Sequence, residues 1–154
     1  MGKISVGSHE VLRLVKHTLA AWASSDIDQT MRYMAPNIDY FVNVDPSIAP
    51  FAASTDGAPA LRARLQILFD TFDIESFLAE DIRISEEDPN AARVKIAYSY
   101  RERTTKEHLD GRFRLNVRTA KGTITRIEEI HDSSYVEAFA RLVYVMRETV
   151  GDKA

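Results

Sequence analysis

The chain of 154 residues contains no cysteine, which excludes disulfides, thiolate metal centres and a cysteine nucleophile. Glycine (6) and proline (5) are sparse, and no glycine-rich phosphate loop or G-x-S-x-G elbow occurs, so nucleotide chemistry and serine acyl transfer have no support. No apolar run approaches the roughly 20 residues that span a bilayer. Met1 to Val6 lack an apolar core of signal-peptide length, so no membrane partner is expected and a cytoplasmic location is the default. Twenty Lys and Arg stand against 23 Asp and Glu, a net charge of −3. That balance argues against nucleic acid, whose affinity rests on many cationic contacts to phosphate. The 4 histidines include no pair at zinc-ligand spacing, so no metal is expected, and no other cofactor.

What is present is periodicity. In the second half, three rows alternate apolar and polar residues: Val94, Ile96, Tyr98 and Tyr100; then Leu109, Gly111, Phe113, Leu115 and Val117; then Ile127, Glu129 and His131. Alternation at period two predicts a half-buried antiparallel sheet, with strands near 75–85, 91–104, 107–119 and 123–132. Asp88-Pro89-Asn90, Thr104-Thr105-Lys106 and Lys121-Gly122 mark the turns. In the third row the apolar face turns acidic and basic before the strand ends.

The first half reads as helices. Ser8 is a candidate cap for a helix with Val11, Leu12, Val15, Leu19 and Trp22 on one stripe. Asp26 with Gln29 opens a short second helix, with Ile27, Met31 and Met34 inward and Pro36 as its stop. A strand is predicted over 38–44. Residues 45–58 form the longest irregular stretch, and loops of that length are often functional. Pro59 sits in the first turn of a third helix with Leu61, Leu65, Leu68 and Phe72. Ser134 and Glu137 suggest a capping box for a last helix carrying Phe139, Val143, Met146 and Val150. With no linker or repeat, residues 1–154 read as one α+β domain, helices packed on one face of an antiparallel sheet. A long sheet covered on one side must curl, and the curl leaves a cavity at one end where ligands sit.

This layout resembles the nuclear transport factor 2-like superfamily, in its SnoaL-like and ketosteroid-isomerase-like branch. The matching stretches are Trp22 to Asp28, Met34 to Tyr40, Gly57 with Ala60-Leu61, and Lys121 to Asp132. The resemblance implies a cone, a curved sheet wrapped around three N-terminal helices with an extra C-terminal helix, and an apolar pocket at one end. It also implies a homodimer through the sheet face. The catalytic sets of the branch do not carry over. The ketosteroid-isomerase proton-shuttle position falls on Val42, its tyrosine on Thr18 and its second acid near Phe113 or Arg114. Where limonene-epoxide-hydrolase-like members need Arg-x-Asp, this chain has Ile96-Ala97-Tyr98.

Glu129 and His131, two apart on a strand, leave the same face about 7 Å apart at Cα. They are the candidate catalytic pair, Glu129 as base and His131 as its partner, since a histidine and a partly buried glutamate suit proton transfer near neutral pH. The bland alternative pairs Glu129 with Arg101, Arg112 or Arg114 and leaves His131 at the helix start. Asp132 reads as an organiser of that helix start. Trp22, Tyr40, Val42, Tyr98, Tyr100 and Phe113 are the candidate ligand-binding residues, the phenols to hold a ligand oxygen. The functional expectation is cofactor-free isomerisation, dehydration or cyclisation of a small apolar, cyclic compound. The rivals are a binding module without turnover and a dimeric interaction protein using the apolar last helix.

Overall fold

A computed structural model describes residues 6–152, with side chains over residues 8–149. Met1 to Ser5, read above for a signal sequence, and the Val150 side chain lie outside the described residues. The chain folds as α1 (Val6–Ala23), α2 (Ile27–Met31), β1 (Met34–Val42), β2 (Thr55–Asp56), α3 (Ala58–Thr71), β3 (Phe72–Ile84), β4 (Ala91–Glu102), β5 (His108–Ala120), β6 (Thr123–Ile130) and α4 (Ser133–Asp152), with a 3-10 turn at Pro50–Ala52. The six strands make one curved, open sheet in the order β2-β1-β6-β5-β4-β3. Every neighbouring pair is antiparallel except β1 with β6, which run parallel. This is the α+β cone expected, with helices on its concave face and a C-terminal helix added.

The inner face is legible residue by residue. On β4, Ala92, Val94, Ile96, Tyr98, Tyr100 and Glu102 are buried, and on β5 Leu109, Phe113, Leu115, Val117 and Thr119. Irregular register bends the sheet. On β3 it shifts between Ile74 and Ser76 and again between Ala79 and Asp81. The inward set on β3 therefore runs Phe72, Ile74, Phe77, Ile82, Ile84 rather than strictly every second residue. On β6, Thr119 faces Ile124 while Arg118 faces Arg126, so Thr125 is the extra residue. That bulge decides the site. It lets Ile124 and Ile127 both face the core, and it sends Glu129 inward while Glu128 stays half-exposed near Arg126.

Several local expectations change. Helix α1 begins at Val6, so Ser8 lies inside its first turn instead of capping it. Asp26 does cap α2, its carboxylate accepting from the Gln29 N–H at 3.1 Å. That helix ends at Met31, and Pro36 lies within β1, which starts at Met34. Pro36 is exposed there, where a missing donor is tolerated. The start of α4 is organised by Asp132, whose backbone carbonyl accepts from Val136 N–H at 3.2 Å and whose carboxylate accepts from Tyr135 N–H at 3.4 Å. Glu137, expected in a capping box with Ser134, instead accepts from the Asp45 N–H at 3.2 Å, tying α4 to the 43–54 loop. Lys121 and Gly122 turn β5 into β6 with φ of 52° and 80°, the left-handed pair that a tight hairpin requires.

Candidate functional site

Helix α3 presents Leu61, Leu65, Leu68 and Phe69 to the sheet, and on the same stripe Arg64, only 4% exposed. Across from it stands Glu129 on β6, 2% exposed. The Arg64 Nη2 donates to Glu129 Oε2 at 3.1 Å. His131 Nε2 meets the same oxygen at 2.6 Å. The Tyr40 hydroxyl, from β1, donates to Oε1. Both oxygens of one buried carboxylate are thus taken by three side chains, from α3, from β1 and from the link between β6 and α4. The arginine, not Arg101, Arg112 or Arg114, is the partner of Glu129. Arg101 and Arg112 pair instead with Asp73 and Glu80 on the outer face.

Burial alone raises the Glu129 pKa, but the Arg64 charge, His131 and the hydrogen bonds from His131 and Tyr40 outweigh it and hold it at about 2. Glu129 is therefore an acceptor-only carboxylate at neutral pH. It follows that the His131 nitrogen facing it, Nε2, carries a hydrogen, and that in the neutral ring Nδ1 is the bare nitrogen. Nδ1 is buried and meets no hydrogen-bond partner among the described residues. The ring is fixed on two sides. Phe113 lies against it with centroids 4.6 Å apart. Asn43 clamps the backbone, its Oδ1 accepting from His131 N at 2.8 Å and its Nδ2 donating to His131 O at 2.9 Å.

Around this cluster lie the phenols. Tyr100 accepts a hydrogen bond from the Trp22 indole N–H at 3.2 Å. Burial, and after it the Glu129 charge, pushes the Tyr40 and Tyr100 pKa values well above the ordinary value. Tyr98 is also pushed up, by burial first and then by Tyr135 and Glu129. Trp22, Arg64, Tyr98, Tyr100, Glu129 and His131 line a narrow cavity of about 10 Å³, room for one water. Phe51 and, from α4, Val136 also line it.

Of the residues expected at a site, Glu129, His131, Trp22, Tyr98 and Tyr100 meet at this cavity, and Tyr40 and Phe113 touch the pair directly. Val42 sits opposite Glu129 on the parallel neighbour strand and belongs to the core cluster instead of lining the cavity. Sequence reasoning missed Arg64. The signal was there: it sits three residues after Leu61 and four before Leu68, an arginine on an apolar stripe. It also missed Glu102, which continues the inward parity of β4, is wholly buried, accepts from the Thr104 and Thr105 N–H groups, and forms an ion pair with Arg147. Among the described residues no three His, Asp or Glu side chains gather as a metal site requires.

Neither a protein-family model nor a curated protein matches the chain. Solved structures do. A Burkholderia thailandensis nuclear transport factor 2-like protein superposes with TM-score 0.70 at 20% identity, covering 85% of this chain and 96% of its own. A Catenulispora acidiphila protein with a ketosteroid isomerase-like fold, in complex with trimethylamine, gives 0.66 at 12% identity over 80% and 88%. The chain has the nuclear transport factor 2-like fold. A Mycobacterium tuberculosis structure in complex with estradiol-17beta-hemisuccinate shares that fold at TM-score 0.67 and 14% identity, over 78% of this chain and 92% of the other. Identities this low carry the fold and not the activity.

Proposed function

We propose that this nuclear transport factor 2-like chain is a small-molecule pocket protein that moves a proton on a compact, largely apolar ligand without a cofactor. The observation that carries the reading is the buried, unpartnered Nδ1 of His131, a residue that lines the inner cavity, on a ring whose Nε2 is held 2.6 Å from an ionised, buried Glu129. In this arrangement Glu129 is the positioning group and His131 the base, the reverse of the order expected from sequence. Nδ1 takes the proton from a carbon next to a ligand carbonyl. The electron pair of the broken C–H bond moves onto the ligand oxygen, where Arg64 or a phenol donates to it. Return of the proton to a different carbon completes an isomerisation. Where the next carbon carries a hydroxyl, the enolate electrons return to form the C=C bond and the C–O bond breaks. The hydroxyl takes the proton held on Nδ1 and leaves as water, a dehydration. Solved proteins of this fold in complex with estradiol-17beta-hemisuccinate or trimethylamine support the binding of a small ligand.

A pairing of two copies through the outer sheet face belongs to the same reading, as does a cytoplasmic location. Among the described residues no helix is long and apolar enough to cross a membrane. One observation favours a second reading, binding without turnover: every oxygen of Glu129 is satisfied within the protein. A thermal-shift screen of apolar carbonyl compounds, followed by NMR of the hits in D2O, separates the two. Deuterium gained next to the carbonyl with the wild type and lost with His131→Ala supports proton transfer. Binding with no deuterium gained leaves the module without catalysis.

A further inference from the structure

The 43–54 loop, which overlaps the long irregular stretch read over 45–58, carries a residue with two faces. Phe51, on the 3-10 turn, lines the inner cavity and also a larger one outside it. The outer cavity, about 150 Å³, lies between the turn, the end of α3 and α4, against Ile48, Ile67, Phe72, Phe139 and Val143. Its charged groups, Glu102 and Arg147, are already paired with each other at 3.4 Å, and Thr71 and Tyr144 are its other polar residues. The Phe51 ring stands edge-on to Phe72 at 5.0 Å. The turn that carries it is held by local backbone bonds, Ala52 N–H to Ala49 O at 2.9 Å and Ala49 N–H to Asp45 O at 3.0 Å. A rotation of one aromatic side chain on a short turn is a small motion for a loop.

The second observation is inside. Arg64 donates through Nη2, but its buried Nε and Nη1 meet no hydrogen-bond partner among the described residues. Its guanidinium lies over the Tyr40 and Trp22 rings, 5.1 and 6.0 Å from their centroids, and the Tyr40 hydroxyl beside it already donates to Glu129 Oε1. A buried donor left unmet is costly, so these two nitrogens want an acceptor in the inner chamber. Glu129 already neutralises Arg64, and a second carboxylate here would face Glu129. The missing acceptor is therefore an uncharged oxygen.

We infer that the two cavities are one ligand site divided by Phe51, and that it takes a flat molecule of one or two fused rings bearing a carbonyl. The ring body lies in the outer chamber under α4, and the oxygen passes Phe51 to reach Arg64 beside His131. The outer chamber is smaller than the roughly 300–1,000 Å³ of drug-sized pockets, which limits the ring count. This rests on the pocket reading above, and names where its ligand lies and how it enters.

The test uses 2,2-dimethyl-1-indanone, two fused rings and one ketone with no hydrogen on the adjacent carbon, so its binding is independent of any proton transfer. It is titrated into the full chain while NMR follows the Ile67 methyls, in the outer chamber, and the His131 ring. Both sets are expected to shift along one saturation curve. Phe51→Leu and Phe51→Ala are expected to bind about tenfold more tightly or faster, because the open form no longer has to be drawn from a minor population. Phe51→Leu keeps the test usable if the alanine variant is too unstable. Movement of Ile67 alone, an affinity and rate unchanged in Phe51→Leu, or no binding to any of these proteins overturns the divided site. If the ketone binds as expected while 1-indanone, which has exchangeable hydrogens, gains no deuterium, the proton-transfer reading fails and the divided site stands.

Discussion

Arg64 on α3 and Glu129 on β6 meet at 3.1 Å in the interior of the cone, with side chains only 4% and 3% exposed. A buried pair of this kind is costly to assemble, and it is costlier to break by removing one member, because the other charge stays buried. Arg64→Met and Glu129→Gln should each lower stability by about 3–5 kcal/mol. The double variant should lose clearly less than the sum of the two. Urea unfolding of the four proteins gives the coupling; additive losses would mean the two charges do not depend on each other.

The same carboxylate sets an acid limit. The Glu129 pKa is lowered from 4.5 to about 2 in the folded chain. A depressed folded pKa gives stability that is present above the unfolded value and lost as pH falls through the folded one. The loss should run from about pH 5 to pH 2 and amount to roughly 3 kcal/mol. Asp73 and Glu80 are also lowered, by hydrogen bonds from Arg101 and Arg112, but they are exposed and screened by salt. Stability measured against pH at high salt should keep the Glu129 share in the wild type and lack it in Glu129→Gln.

At the alkaline end the signs reverse. Tyr40, Tyr98 and Tyr100 have raised pKa values through burial, so the neutral phenols favour the fold below the ordinary tyrosine value near 10, and that share is lost as pH rises above it. Ultraviolet titration of the native chain should leave at least these three of the six tyrosines un-ionised until the chain unfolds. Ionisation of all six in a folded protein would contradict their burial.

Two glycines should respond in opposite ways. A Cβ at Gly111 would meet the Tyr98 ring and hydroxyl at 3.6 and 3.5 Å, ordinary contact. Gly111→Ala should therefore be neutral or stabilising by about 0.5–1 kcal/mol. Gly122 has φ of +80° in the β5–β6 turn, and Gly122→Ala should destabilise by about 1 kcal/mol. Thermal unfolding of both variants decides.

Much of this was readable from the chain, for a physical reason. A half-buried strand writes its inner face at every second residue, so Tyr98, Tyr100, Phe113, Glu129 and His131 could be placed on one surface before any coordinates. Parity says which face a side chain takes but not what stands across from it. That is why the partner of Glu129 was sought on neighbouring strands, while the structure brings Arg64 from a helix. Bulges are also silent in an alternation pattern. Thr125 shifts the register on β6, and only counting back from Ile127, instead of forward from Ile124, gives the right face for Glu129. The capping roles of Ser8 and Ser134 are illegible for a related reason. Ser8, Ser134 and Asp132 are all competent caps, and tertiary contacts such as Glu137 with the Asp45 N–H choose among them.

Glu129 holds the ring of His131, a residue lining the inner cavity, so that Nδ1 is its bare nitrogen. Nitrogen-15 NMR of the histidine ring in the wild type and in Glu129→Gln tests it most directly. The account predicts that the neutral wild-type ring carries its hydrogen on Nε2, with Nδ1 unprotonated, and that this preference weakens in Glu129→Gln. A neutral ring protonated at Nδ1, or a ring indifferent to the loss of the carboxylate, would contradict it.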